Sequence, residues 1–163
     1  MEHKIIPSLW FDTEAEEAAS FYCSVFKNSR ILDTTRYPEG SPGPAGEVMT
    51  VDFELDGERF VGINGGPQFP FTEAVSFQIT CEDQAEVDYF WERLTDGGQE
   101  VQCGWLKDRY GLSWQVVPRG MDAVFADADP ARAQRAMQAM MGMVKLDIAE
   151  LRRAYEGRGG ERG

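Results

Sequence analysis

Asp52 and Glu54 lie in a stretch where Met49, Val51, Phe53 and Leu55 alternate with Thr50, Asp52 and Glu54. A strand of that period turns its carboxylates to the face opposite the apolar one, where either is placed to act as a general base. Ser76, Gln78 and Thr80 alternate in the same way with Val75, Phe77, Ile79 and Cys81, and Ser113, Gln115 and Val117 with Leu112, Trp114 and Val116. Hydroxyl and amide groups on one open strand face either orient a small polar ligand or bond one another and water. Cys103, beside Gly104 and Trp105, is either a nucleophile or a packed small hydrophobe, and only Lys107 and Arg109 stand near enough in the chain to activate it. Trp10 and Trp105 fit an aromatic wall for a planar or apolar ligand, and Trp105 fits a core position equally well. The single histidine, His3, sits at the N-terminus, so a catalytic triad, a proton shuttle or a His-based zinc site has nothing to build with.

Composition narrows the classes further. The 163 residues carry a net charge of −12 and are 42% hydrophobic, which fits one globular domain able to bury a core without disulfides. A field of that sign repels a phosphate backbone, so nucleic acid is excluded as a partner. No apolar run approaches the ~20 residues needed to cross a bilayer, so no membrane partner is expected. The N-terminus has no signal-like apolar stretch. The three cysteines are odd in number and follow no metal or redox spacing, which predicts reduced thiols and a cytoplasmic location.

The elements that must position these groups come in two similar sets. Residues 4–11 read as a strand, and Thr13 with Glu16 forms a capping box that opens a helix whose apolar stripe is Ala15, Ala18, Ala19, Tyr22, Val25 and Phe26. Strands at 30–37, 49–55 and 59–64 follow, with a Pro/Gly-rich loop at 38–47 and an Asp56-Gly57 hairpin turn. The second set has a strand at 75–81, a helix capped by Asp83 with Glu86 and stopped by Gly97-Gly98, then strands at 100–107 and 112–118. Placing Ile6 on Ser76 puts Leu9 on Ile79 and Phe11 on Cys81, an internal duplication. Beyond Pro118, Asp129-Pro130 and Asp147 with Glu150 open helices. The first of these helices carries the stripe Met137, Met140 and Met141, which packs internally or faces another subunit. The end, 157–163, is rich in Gly and Arg and is expected to be disordered.

Two β-α-β-β-β halves with the runs NGGPQFPFTEAVSFQITCED and CGWLKDRYGLSWQVVP, followed by QRAMQAMMGMVKLDIAELRRAYEG, resemble the PhnB-like branch of the vicinal oxygen chelate superfamily. That superfamily includes glyoxalase, bleomycin-resistance and extradiol-dioxygenase proteins. The resemblance implies an α+β fold in which paired βαβββ modules, 4–66 and 74–118, form a curved mixed sheet shaped as a glyoxalase-like cup. It makes 1–120 a single domain, with a C-terminal helical extension over 121–156.

In metal-dependent relatives, as the resemblance implies, the cup floor holds His and Glu ligands. Their counterparts here are Ser76, Gln115 and Ile6, and neutral hydroxyl and amide oxygens are poor ligands for Zn, Ni or Fe. The cup is therefore expected to hold no metal and no cofactor. It is expected to bind a small, possibly aromatic molecule through Trp10, Ser76, Gln78, Trp105 and Gln115 in a homodimeric protein.

The alternatives are a metal-dependent lyase, isomerase or dioxygenase, or an enzyme using Asp52 or Glu54 as base. A 3-demethylubiquinone 3-methyltransferase is a further alternative, named by the label this branch often carries. No strand leads through a Gly-rich turn to an acidic ribose ligand, as a nucleoside cofactor needs. A purely structural role, with the cup filled by its own side chains, completes the set.

Overall fold

Residues 3–157 are described by a computed structural model. The elements run β1 (Ser8–Phe11), α1 (Ala15–Val25), β2 (Arg30–Arg36), β3 (Val48–Leu55), β4 (Glu58–Asn64), β5 (Ser76–Cys81) and α2 (Gln84–Thr95). They continue with β6 (Gln99–Glu100), β7 (Trp105–Lys107), β8 (Ser113–Pro118), α3 (Met121–Phe125), α4 (Pro130–Met141) and α5 (Ile148–Glu156). The chain divides into two compact units, Met1–Phe71 and Thr72–Gly163. Each holds a four-stranded sheet of the same order, β1-β4-β3-β2 in the first and β5-β8-β7-β6 in the second. In each, the first strand runs parallel to the last and the remaining pairs are antiparallel. Leu9 and Ile79 occupy the same buried place in the two sheets. Phe11 pairs with Asn64 at the end of β4, as Cys81 pairs with Pro118 at the end of β8.

In the first unit, Val51, Phe53 and Leu55 turn to one side of the sheet, where α1 lays Ala15, Ala18, Ala19, Tyr22 and Val25 on them. Small residues at the crossing let the helix close on the strands. A Cβ added to Gly62 would come within 3.1 Å of the Ala15 Cβ. Tyr22, Phe53 and Phe60 then stack in series, with centroids 6.4 and 5.6 Å apart. The opposite face of β3 carries Thr50, Asp52 and Glu54, as the alternation requires.

The helix starts differ from one another. Asp83 accepts the Glu86 amide at 2.9 Å while Glu86 Oε2 accepts the Glu82 amide at 2.6 Å, so the return bond of the capping box reaches the residue ahead of the cap. Asp129 and Asp147 cap α4 and α5 through the amides of Ala131 and Glu150. The box expected from Thr13 and Glu16 does not form. Glu14 occupies the cap position, but its side chain accepts from the Thr13 amide rather than from the helix, and the Ala15 N–H instead donates to Asn64 Oδ1 at 2.8 Å. A residue from the end of β4 thus replaces the local cap.

The strand expected over 100–107 is two. Cys103 and Gly104, with φ of 60° and 81°, turn the chain between β6 and β7, and the Val101 N–H closes the hairpin on Trp105 O at 2.9 Å. The strand alternation that would put Cys103 and Trp105 on one face is broken at this turn. The C-terminal extension supplies partners for the turn itself. Cys103 and Gly104 donate their amides to Met143 O and Val144 O, both at 2.8 Å, and Leu146 packs fully buried against Gly104. Gln84 reads the same segment with both ends of its carboxamide, donating to Leu146 O and accepting from the Ile148 amide. The extension also contains α3, which local pattern did not announce. Gly157, expected in a disordered end, closes α5 in the left-handed conformation at φ 79°. The remainder of that expected tail, 158–163, lies outside the described residues.

Candidate functional site

On the first unit's open face, sheet register sets Trp10, Ile63, Thr50 and Thr35 in one row across β1, β4, β3 and β2. Thr35 and Thr50 share a hydroxyl bond of 2.6 Å. A second row brings Val61, Asp52 and Asp33 together. Arg59 Nη2 meets Asp52 Oδ2 at 2.6 Å, and Arg30 Nε meets Glu54 Oε2 at 3.2 Å. Both carboxylates singled out as bases therefore stand on the open face as ion pairs.

The row headed by Trp10 runs into a cleft of about 1050 Å³. Trp10 forms part of its wall, held by an Nε1–H···O bond of 2.9 Å to Gly66 and by Phe69 edge-on at 5.0 Å. Gly65 has to be glycine, because a Cβ there would overlap the indole. Opposite, Tyr37 donates its hydroxyl to Asn64 O, and Gly43 lies against the phenol ring. The loop that carries Gly43 is closed at its base by Tyr37 N–H to Glu47 O at 2.9 Å and Gly46 N–H to Tyr37 O at 2.8 Å. Asn64 joins these parts: besides capping α1, its Nδ2 donates to Val48 O at 3.1 Å. The sequence reading found Trp10 but not Tyr37, Asn64 or the acidic residues of the cleft. The signal available was the Pro/Gly loop directly after a strand-ending tyrosine, together with the Asn64-Gly65-Gly66 run.

In the second unit the open face has two rows, Ser76–Ser113–Lys107 and Gln78–Gln115–Trp105. Gln115 Nε2 donates to Ser76 Oγ at 2.9 Å, a diagonal contact between the rows. Gln78 is exposed, Trp105 is half-buried, and Lys107 pairs with Glu73. Ser113 is 1% exposed, and its Oγ has no partner. The four second-unit candidates thus share one face, with Ser76 and Gln115 bonded to each other.

A divalent transition metal at this face would have to be held by a hydroxyl and a carboxamide already bonded together, and these donors do not fit it. Among the described residues, no group of three or more His, Cys, Asp and Glu is placed to hold a metal ion. Cys103 lies on the turn rather than on a strand. Burial of Cys81, with Glu86, Asp83 and Glu82 nearby, pushes that thiol up to about 12. Burial also raises the Cys23 thiol. Among the described residues, no helix is long and apolar enough to cross a membrane.

Comparison with known proteins agrees with this architecture. The family model described as 3-demethylubiquinone-9 3-methyltransferase matches residues 3–117. A PhnB protein from Bacillus cereus is 37% identical, with a TM-score of 0.66 over 71% of this chain and 99% of its own. Protein PA1353 from Pseudomonas aeruginosa shares the fold at 20% identity and a TM-score of 0.59, covering 72% of this chain and 98% of its own. The fosfomycin resistance protein FosX from Mesorhizobium loti shares it at 12% identity and a TM-score of 0.52, covering 71% and 90%. No curated protein sequence matches.

Proposed function

The chain belongs to the 3-demethylubiquinone-9 3-methyltransferase family, in the PhnB-like branch of the vicinal oxygen chelate superfamily, and from that premise we propose that it binds a small organic molecule without a resident metal. The observation that carries this reading is the cleft of about 1050 Å³ beside an indole fixed by Gly66 and Phe69. A rigid aromatic wall with a few polar groups is what a small-molecule site needs, and a stacked ring gains about 0.5–1.5 kcal/mol beyond its area burial. Ser76, Gln78, Trp105 and Gln115 form a second polar face on their own sheet, suited to orienting a polar group.

The rival chemistries ask for groups that are otherwise engaged. A metal-dependent lyase, isomerase or dioxygenase needs stronger ligands than Ser76 and Gln115. Proton abstraction needs Asp52 or Glu54 released from its arginine. For the methyl transfer that the family description names, β4 leads through Gly65-Gly66 to Pro67 and then to β5, with no helix start there to hold a nucleoside cofactor.

The reading also makes the protein a cytoplasmic homodimer. Three free thiols and the exposed Met137 and Met141 of α4 support it, and light scattering at one chain mass would remove the dimer. Two measurements test the core of the proposal. Plasma mass spectrometry of untagged protein is expected to find metal far below one per chain, and a thermal-shift screen is expected to yield stabilising compounds that no longer stabilise Trp10→Ala. Stoichiometric Zn, Ni, Mn or Fe would overturn the metal-free reading, and a screen without stabilisers would overturn binding.

A further inference from the structure

We propose that the first-unit cleft selects an organic cation with an aromatic body. The inference rests on reading that cleft as a small-molecule site and adds the charge of its occupant. The aromatic walls have no hydrogen-bond donor left to offer an anion. The Trp10 Nε1–H is taken by Gly66 O at 2.9 Å, and the Tyr37 hydroxyl by Asn64 O. What faces a ligand is ring surface, whose quadrupole attracts positive charge.

The charges around the cleft point the same way. Asp12, Glu16, Glu17 and Glu47 line it against Arg36 alone. Arg36 donates Nη1 to Gly46 O at 3.0 Å. The unit's ion pairs among the described residues, Arg30–Glu54 and Arg59–Asp52, leave Asp12, Glu16 and Glu47 out.

The start of α1 opens into this cleft, and a bare helix N-terminus draws anions. Here that pull is cancelled. Asn64 Oδ1 takes the Ala15 N–H, and Glu16 and Glu17 stand in the first turn. One of the two Asn64 Nδ2–H donors is spent on Val48 O at 3.1 Å, which leaves this amide a single N–H among four lining carboxylates. In a chain of net charge −12, a cation is steered toward the cleft and an anion is repelled from it.

The test uses the full chain and three probes of similar shape: 1-methylquinolinium, neutral quinoline and 1-naphthoate. Titration is followed by amide NMR at Gly65 and Gly66 and at the Trp10 indole N–H. The cation is expected to shift these signals and to bind at least about tenfold more tightly than quinoline, with 1-naphthoate weaker still. The triple variant D12N/E16Q/E47Q is expected to lose that preference while its remaining amide spectrum stays native, and added salt is expected to reduce it in the wild type. Quinoline or 1-naphthoate binding as tightly as the cation, or a preference retained by the triple variant, overturns the charge inference and leaves the cleft a binding site. No shift at these groups with any of the three overturns the small-molecule reading as well.

Discussion

Asn64 Oδ1 accepts the Ala15 N–H at 2.8 Å, so the last residue of β4 caps a helix that begins 49 positions earlier in the chain. The bond ties α1 to the sheet at the edge of the cleft, and the same side chain reaches Val48 O. Asn64→Ala leaves a helix N–H and a strand carbonyl without their partner, and is expected to cost about 1–3 kcal/mol in urea unfolding. Asn64→Asp keeps the cap acceptor and should recover part of that loss. Equal stability of Asn64→Ala and wild type would show that water replaces the cap at no cost.

The Gln115–Ser76 bond gives a prediction for the second sheet. Their tips lie 2.9 Å apart, and each side chain is replaceable without touching the buried Val116 and Trp114. Gln115→Ala should leave the fold intact and weaken any ligand that uses this face. The double variant Ser76→His/Gln115→Glu converts the pair into an imidazole and a carboxylate, ligands suited to Ni²⁺ and Zn²⁺. It is expected to bind Ni²⁺ more tightly than the wild type by calorimetry. Identical isotherms would mean that the two positions do not converge on a common point.

Much of this architecture was legible in the sequence because period-two and period-3.6 patterns report which face is buried. Val51, Phe53 and Leu55 against Asp52 and Glu54, and the caps Asp83, Asp129 and Asp147, are local signals that tertiary structure left alone. What local pattern could not show came from partners far along the chain. Thr13 and Glu16 have the composition of a capping box, yet Asn64 takes the site. The 100–107 stretch reads as one strand until Cys103 and Gly104 adopt positive φ, a turn whose amides are satisfied by Met143 and Val144. Trp10 could be placed on the open face by parity. Its neighbours in the cleft belong to a loop and a helix start, where no period applies.

Thiol labelling separates the cysteines by burial. Cys81 has no exposed surface, and its thiol is pushed up to about 12, chiefly by burial and then by Glu86, Asp83 and Glu82. It is expected to stay unmodified by iodoacetamide at pH 8 in the native protein and to react once the protein is unfolded, because only the thiolate attacks. Peptide mass spectrometry reads both states. Rapid native alkylation of Cys81 would show that the seam between β5 and α2 opens readily.

Acid should loosen the C-terminal extension before it unfolds the sheets. Asp88 accepts from Lys145 Nζ at 2.8 Å and from Gln84 Nε2 at 2.9 Å, and Gln84 also holds the segment ahead of α5. These bonds, that of Lys145 first, keep the Asp88 carboxyl below its ordinary value of 3.8. A carboxyl with a lowered folded pKa binds fewer protons in the docked state. Its contribution is therefore complete above about pH 5 and fades as pH falls through 3.8 toward the folded value. Because the pair is largely exposed, the effect is small and local. Hydrogen exchange in α5 is expected to speed up over that window in the wild type, after correction for intrinsic rates. Asp88→Asn has no carboxyl to protonate there and should show no such step. An identical acid response in both proteins would assign the step to another carboxylate, with Asp127 next because its bonds to Tyr155 and the Asp129 amide also hold it low.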